Sequence, residues 1–446
     1  MAQRSVFNTK FAAIATTVGS AVGLGNIWRF PYEAGMHGGG AFLICYIFFV
    51  LIIGVPLLCS EFAMGRATRS NVFGAYGKLD PRHKWHLTGY IGIAASLMIL
   101  SFYSVVAGWT VEYSVYSLFG ELDFSNPNSG HGQFTVLTTG WHTVVWTLIF
   151  LIINFLILRR GVTKGIEKVS NILMPVLFVL LIAFCINATT MSNFGKGMEF
   201  LFSPDFSKIT PSVLLSAMGQ AFFSLSLGLG CMMTYASYFH KDTRLGRTAL
   251  TTAGLDTLVA ILSGIIIFPA VFSYGMSPEA GPTLVFEVLP AIFTSLPGGQ
   301  IWSTLFFILL FIASLTSTVS MSEISITYFC EEKKMSRIRA TTISSAIAVA
   351  GGLVCALSFG PLSDYTLSGR TIFDLFDYCS SNILLPVGGF ICSVFVGYFL
   401  DRSFLEKQLT GNGTKGRMVA AILSFLLRYV CPSAIILIFL NSIGLI

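Results

Sequence analysis

Residues that could bind a polar ligand in the middle of a membrane lie in the first apolar segment of this chain, at positions 19–32. Three glycines, Asn26 and Arg29 occupy the middle of a stretch that otherwise has the length and hydropathy of a membrane-spanning helix. In hydrocarbon, backbone that leaves the helical path needs partners in protein or in a water-lined cavity, because each unsatisfied polar group is costly. Freed carbonyl groups suit a cation, and freed amides suit an anion. The segment therefore predicts a mid-membrane binding cavity for something small and polar.

The sixth apolar segment carries a similar interruption at positions 220–230, where Ser224, Ser226, Gly228 and Gly230 lie at mid-depth. The two interrupted segments are five spans apart. Because five is an odd number, the two halves of the chain would cross the membrane in opposite senses. This pattern indicates an inverted repeat with a binding site where the interrupted helices meet. The alternative is that these glycines only permit close helix packing of the small-xxx-small kind.

The composition identifies the elements that position these residues. Of the 446 residues, 54% are hydrophobic and 11% are charged, which predicts an all-α membrane protein with many spans. Apolar windows bounded by charged turns predict eleven transmembrane helices. They lie at 11–34, 39–64, 87–118, 140–158, 167–187, 212–239, 247–275, 300–330, 340–359, 371–400 and 418–445.

Lys and Arg test this count independently, since basic residues collect in cytoplasmic loops. With the N-terminus inside, 22 of the 27 fall on the cytoplasmic side, whereas Lys196, Lys208 and Arg370 fall in loops on the other side. This bias predicts a multi-pass protein of the cell inner (plasma) membrane with a cytoplasmic N-terminus and an external C-terminus. The net charge of +6 follows from the same bias and indicates no nucleic-acid partner. Residues 1–10 are too short and polar for a cleaved signal peptide.

Six strings spread over nearly the whole chain resemble the neurotransmitter:sodium symporter family, in its bacterial amino-acid transporter type. The most specific includes Asn-Ile-Trp-Arg-Phe-Pro-Tyr at 26–32, and the others lie at 38–42, 56–66, 220–230, 234–238 and 315–317. The resemblance implies sodium-coupled uptake by alternating access in a five-plus-five inverted repeat with unwound first and sixth helices. Many members have twelve spans, so this chain would be an eleven-helix variant. Its single domain over 1–446 would comprise a first repeat at 1–190, an inverted repeat at 191–400 and an additional eleventh helix at 401–446.

The resemblance also implies two sodium sites, and the residue types suit the ion because Na⁺, a hard cation, prefers carbonyl, hydroxyl and carboxylate oxygens. The first site, completed by the carboxylate of the substrate, would use Ala21, Asn26, Ser224 and Asp256. The second would use the carbonyls of Gly19, Val22 and Ala313 and the hydroxyls of Thr316 and Ser317. The alternative for any one hydroxyl is that it bonds back to its own helical turn.

Asp256 stands where many relatives carry Asn, and an ionisable residue at this depth suggests a function by default. Chloride-dependent relatives place their anion near positions that match Tyr46, Gln220, Ser224 and Ala260. Ala260 offers neither a hydroxyl nor a charge. We therefore expect Asp256 to supply the fixed negative charge near the first sodium, which makes chloride unnecessary. The alternative is a hydrogen-bonded carboxyl in a polar seam that touches no ion.

The substrate class follows mainly from Gly23. Monoamine carriers of this family have an Asp at the matching position, so a substrate of this chain should bring its own carboxylate, and the apolar walls suit a hydrophobic side chain. The resemblance places around it Ala21, Leu24, Gly25, Ile99, Tyr103, Phe223, Ser224, Ser226, Leu229, Ser317 and Met321. We expect a small-molecule partner, a neutral and hydrophobic L-amino acid. The alternatives are another carboxylate-bearing amine or osmolyte, or, from a different class, an ion channel. We find no residues that would make the chain an enzyme.

Gate residues are carried over from the same resemblance. Arg29 and Asp377 match an outer ion pair, with Tyr103 and Phe223 as a lid over the substrate. Three residues match an inner gate: Arg4, Glu331 and the supporting Tyr238. For Arg4 and Glu331 the alternative is an ordinary surface salt bridge.

Other features bear on the inner path and on the unwound helix. Phe7 stands where relatives have Trp, and Glu61 resembles an acid that satisfies amides of the unwound sixth helix. Glycine at 165 and proline at 175 mark the inner end of the fifth helix as a place that unwinds or, alternatively, only kinks. The sequence carries no signal that sets an oligomeric state.

Overall fold

The protein is described from a computed structural model that covers residues 6–122, 129–278, 284–294, 298–401, 403–410, 416–442 and 445. Within these residues the chain forms helices joined by turns, with no β-strand. Nine of the helices described are long and apolar enough to cross a membrane. They are Gly40–Thr68, Lys84–Phe119, Trp141–Leu158, Val162–Ala188, Leu245–Ser273, Gly299–Glu331, Arg337–Leu357, Ile372–Phe399 and Arg417–Asn441. The prediction of an all-α membrane protein is confirmed.

The first span is interrupted where the sequence predicts it. Helix Lys10–Ala21 begins at a Thr9 cap, and its last backbone bond runs from the Val22 amide to Val18, after which Val22 turns to an extended conformation. A second helical piece, Gly25–Met36, leaves at an angle of 52° to the first. The Asn26 side chain accepts a hydrogen bond from the Gly23 amide at 3.0 Å. The side chain thus replaces a partner that the broken helix no longer provides.

The sixth segment is divided into the helices Pro211–Ser224 and Cys231–Ala236. Between them, Ser226, Gly228 and Gly230 adopt the left-handed backbone region, with φ values of 52°, 84° and 74°. The Glu61 carboxylate accepts hydrogen bonds from the Gly228 amide at 2.9 Å and the Met233 amide at 3.3 Å. The role expected of Glu61 is therefore present. Neither half of this segment has the length of a span, so the total of eleven spans, with its division into repeats, stays a prediction.

The third span, Lys84–Phe119, and the eighth span, Gly299–Glu331, form the centre of the bundle. Gly299–Glu331 has 83% of its most apolar window buried inside the protein, whereas Val162–Ala188 has 28%, which places the fifth span at the periphery. The fifth span is helical through Pro175, so the unwinding proposed for its inner end is absent from this structure. Its Glu167 accepts hydrogen bonds from the backbone and side-chain nitrogens of Asn8 at 3.1 to 3.3 Å. The N-terminal segment is thereby fastened to the start of that helix.

Candidate substrate and ion site

A small cavity lies where the two interrupted helices meet. Ten of the predicted substrate residues line it: Ala21, Gly25, Ile99, Tyr103, Phe223, Ser224, Ser226, Leu229, Ser317 and Met321. Leu24 takes part through its backbone amide, described below. The structure thus brings together all the residues predicted to surround the substrate.

One end of the cavity is polar. The Leu24 amide donates a hydrogen bond to the Tyr103 hydroxyl at 2.8 Å. The Ser317 hydroxyl donates to the Val22 carbonyl at 3.0 Å. A Cβ atom placed on Gly23 would lie 2.6 Å from the Ser317 oxygen and 2.7 Å from the Tyr103 oxygen. Only a glycine at this position therefore lets the two hydroxyls approach the broken backbone.

Asn26, Ser224 and Asp256, predicted for the first sodium site, form one buried cluster. The Asn26 side-chain nitrogen lies 2.9 Å from the Ser224 hydroxyl, 2.8 Å from the Asp256 carboxylate and 3.0 Å from its carbonyl. The Ser224 hydroxyl also donates to the carboxylate at 2.7 Å, and the Tyr46 hydroxyl donates to it at 3.2 Å. Oxygen atoms from the second, sixth and seventh spans thus converge around the Asn26 side chain. A donor set of carboxylate, hydroxyl and carbonyl oxygens suits a hard cation.

The residues predicted for the second sodium site lie where the first and eighth spans meet. The Thr316 hydroxyl bonds back to the carbonyls of Ile312 and Ala313 at 3.2 and 3.1 Å, as a membrane-helix hydroxyl commonly does. Gly19 faces this residue, since a Cβ atom on Gly19 would lie 3.4 Å from the Thr316 Cβ. The Ser317 bond to Val22 completes the contact. Carbonyl and hydroxyl oxygens of two spans therefore come together here as well.

A second, larger cavity opens on the other side of Tyr103 and Phe223, which line both cavities. We call it the vestibule; it is lined by Leu24, Gly25, Trp28, Arg29, Tyr32, Glu33, Phe102, Tyr103, Val106, Phe223, Phe373 and Asp377. The predicted pair of Arg29 and Asp377 is not formed in this structure. Arg29 instead lies 3.5 Å from the Glu33 carboxylate, and its guanidinium carbon stacks 4.5 Å from the centre of the Phe223 ring.

At the opposite end, Phe7 is fully buried and packs edge-on against the rings of Tyr235 and Tyr238. The Tyr238 hydroxyl donates to the Glu323 carboxylate at 2.8 Å, and Arg337 holds the same carboxylate with two hydrogen bonds of 2.7 and 2.6 Å. The sequence analysis did not foresee this network.

The other inner-gate residues are placed as follows. Glu331 accepts hydrogen bonds at 2.9 Å from the backbone and side-chain nitrogens of Asn71. Arg4 lies outside the described residues.

Sequence reasoning also missed Leu385, which completes the apolar wall of the substrate cavity. It missed Glu33, the ionic partner of Arg29 in this structure. A signal for Glu33 was present, because a carboxylate four residues after an arginine on a helix lies on the same face. No signal of this kind existed for Leu385, since only the folded chain brings the tenth span against the first and sixth.

A helical membrane protein with two interrupted spans around a central cavity has the architecture of a secondary transporter. Comparison with known proteins agrees. The model of the Sodium:neurotransmitter symporter family matches residues 4–133 and 134–445, and the chain belongs to that family. It is therefore a sodium-dependent symporter and not a member of an enzyme family.

Individual relatives cover almost the full chain. An uncharacterized sodium-dependent transporter of Bacillus subtilis (strain 168), YhdH, is 39% identical over 98% of this chain and 97% of its own length. A second, of Haemophilus influenzae (strain Rd), is 36% identical over 99% and 98%. The crystal structure of MhsT in complex with L-phenylalanine matches with 42% identity and a TM-score of 0.91, covering 99% of this chain and 100% of that one.

Proposed function

We propose that the chain imports a neutral, hydrophobic L-amino acid together with sodium. The observation that carries this proposal is the absence of a side chain at Gly23 beside the hydroxyls of Tyr103 and Ser317. A site without a fixed negative charge there accepts a substrate carboxylate, for which hydroxyl and amide groups are good donors. The L-phenylalanine in the MhsT structure supports the same class of substrate.

The remaining walls favour an apolar side chain. Ile99, Leu229, Met321 and Leu385 are all buried and present aliphatic or thioether atoms to the cavity. An apolar wall gains from each buried methylene of the substrate, and it penalises a charged group that finds no partner. The substrate amine would meet the carbonyl groups freed at the two helix breaks, since a helix C-terminal end attracts positive charge.

We further propose two sodium sites and no requirement for chloride. The buried Asp256 carboxylate, bonded to Asn26 and Ser224, would supply a fixed negative charge beside the first site. This charge would replace a bound anion, because both offset the positive charge of the cation. The second site, formed by Gly19, Val22, Ala313, Thr316 and Ser317, uses neutral oxygens only.

Transport would proceed by alternating access between two gates. Tyr103, Phe223, Arg29 and Asp377 would close the vestibule over the substrate. At the other end, Phe7 and the residues Arg4, Glu331 and Tyr238 would close the path toward the N-terminus. We place the N-terminus in the cytoplasm and the C-terminus outside the cell inner membrane, as the Lys and Arg bias predicts.

Binding of radiolabelled amino acids to the purified protein, in sodium and in potassium, tests the proposal. We expect saturable binding of L-phenylalanine or L-leucine in sodium only. Tyr103→Phe removes a carboxylate donor and should weaken that binding by about two orders of magnitude. The matched control is Tyr113→Phe, on the same helix, whose buried hydroxyl has no hydrogen-bond partner among the described residues and lies outside the cavity.

Two outcomes would contradict the proposal. Equal binding in sodium and potassium would contradict sodium coupling. Binding of a betaine-type osmolyte or of a primary amine without a carboxylate, in place of amino acids, would favour another substrate class.

A further inference from the structure

Arg29 has two carboxylates within the same vestibule. Its Nε atom lies 3.5 Å from Glu33 Oε1, one helical turn further along the first span. Asp377, on the tenth span, lines the same cavity and accepts a hydrogen bond from the Ser381 hydroxyl at 2.8 Å. The Arg29 guanidinium is therefore paired with Glu33 in this structure, while Asp377 lines the same cavity without pairing with Arg29.

The Glu33 carboxylate is fixed in place by groups other than Arg29. The Ser216 hydroxyl, on the outer half of the sixth span, donates a hydrogen bond to Glu33 Oε2. His37 Nδ1 lies 3.5 Å from the same oxygen and 2.9 Å from the Glu33 carbonyl. The side chain of Glu33 is only 13% exposed, against 32% for Arg29. Arg29 is therefore the more exposed partner of the pair, and Glu33 keeps other polar partners if Arg29 leaves.

We propose that Glu33 holds Arg29 while the vestibule is open, and that closure of the gate transfers Arg29 from Glu33 to Asp377. The inference rests on the proposed role of Arg29 and Asp377 as an outer gate. Glu33 acts through Arg29 and is a positioning residue, not a ligand of the substrate. The guanidinium lies over the Phe223 ring during this exchange, since it already stacks there at 4.5 Å. Movement of Arg29 between the two carboxylates would therefore also change its contact with the lid residue Phe223.

The exchange sets the balance between the open and closed gates. Each carboxylate competes for one positive charge, so neutralising Glu33 favours the pair with Asp377, and neutralising Asp377 favours the open gate. Ion pairs that are partly exposed to water shift such an equilibrium by a factor of up to about five. The effect of Glu33 also depends on Asp377, because without Asp377 the described residues that line the vestibule offer the arginine no second carboxylate.

The rate at which a thiol in the vestibule is modified measures this balance without any substrate. Phe373 lines the vestibule on the tenth span and is partly exposed, and Phe373→Cys would report the accessibility of the vestibule to a charged methanethiosulfonate reagent. The purified protein in sodium chloride serves as the sample. The chain without this substitution gives the background from its nine free cysteines, of which Cys185, Cys330 and Cys379 are partly exposed.

We expect Glu33→Gln to slow modification about fivefold, and Glu33→Asp, which keeps the charge, to recover most of the rate. In the Asp377→Asn background, Glu33→Gln should cause no slowing. Ser216→Ala, which loosens the carboxylate without removing it, should slow modification by a smaller factor and serves if Glu33→Gln does not fold.

An unchanged rate in Glu33→Gln, or the same slowing with and without Asp377, would overturn the inference. Because the readout needs no amino acid, a chain that binds none would contradict the proposed substrate and leave this test intact.

Discussion

Gly23→Ala is the substitution whose effect the geometry defines best. The added Cβ atom would lie 2.6 Å from Ser317 Oγ and 2.7 Å from the Tyr103 oxygen, whereas ordinary contact begins at 3.4 Å. Each hydroxyl must retreat by about 0.7 to 0.8 Å to relieve the overlap, which breaks the 2.8 Å bond from the Leu24 amide to Tyr103. The substitution thus displaces the Tyr103 hydroxyl, which is the proposed carboxylate donor, and the Ser317 hydroxyl of the proposed second sodium site, while leaving the apolar wall in place.

The cost has two parts. Overpacking of a closely packed site costs about 1 to 3 kcal/mol. Loss of a hydrogen bond to a charged group costs about 1.5 to 3 kcal/mol. Together they predict that the dissociation constant of the amino acid rises by about two to four orders of magnitude.

Equilibrium binding of radiolabelled L-phenylalanine to the purified variant in sodium measures this change. Gly254→Ala is the matched control, because a Cβ atom on Gly254, in the seventh span, meets no heavy atom within 4 Å. We expect the control to bind as the unmodified chain does. A thermal unfolding curve in detergent separates lost binding from lost folding. A dissociation constant for Gly23→Ala within threefold of the unmodified value would refute the reasoning.

Three further predictions concern the ions and the wall. Uptake by the unmodified chain should persist when gluconate replaces chloride, whereas uptake by the Asp256→Asn variant should be lost in gluconate. Equal loss of uptake in the unmodified chain and in the variant would contradict the role of the Asp256 charge. Thr316→Val should raise the half-saturating sodium concentration about tenfold, whereas Thr327→Val, on the same helix, should not. Leu385→Ala or Met321→Ala should shift preference toward larger side chains by about tenfold in competition binding, and an unchanged ranking would contradict their place in the wall.

The sequence was informative about the site because the constraint of hydrocarbon is strong. Glycine, asparagine and serine in the middle of apolar segments are costly unless the backbone there has a purpose, so the breaks near Gly23 and Gly228 were predictable. The partner of the second break, Glu61, followed from the family resemblance. The clustering of Asn26, Ser224 and Asp256 followed in the same way, although these residues are up to 230 positions apart in the chain.

The contacts that the sequence did not reveal depend on conformation or on distant packing. Arg29 has two acidic partners, and which one it holds depends on the state of the gate, which no residue pattern encodes. Glu323 looked like one polar residue among many in the eighth span, until the fold placed Arg337 and Tyr238 around it. Leu385 is one leucine among many, and only the crossing of the tenth span makes it part of the cavity.

The most direct test of the central claim is uptake into liposomes that contain the purified protein. With sodium outside and potassium inside, we predict that L-phenylalanine accumulates above its external concentration, and that dissipating the sodium gradient releases it. The Gly23→Ala protein in the same liposomes should show no accumulation. Equal uptake with and without the sodium gradient would contradict sodium-coupled amino-acid import by this chain.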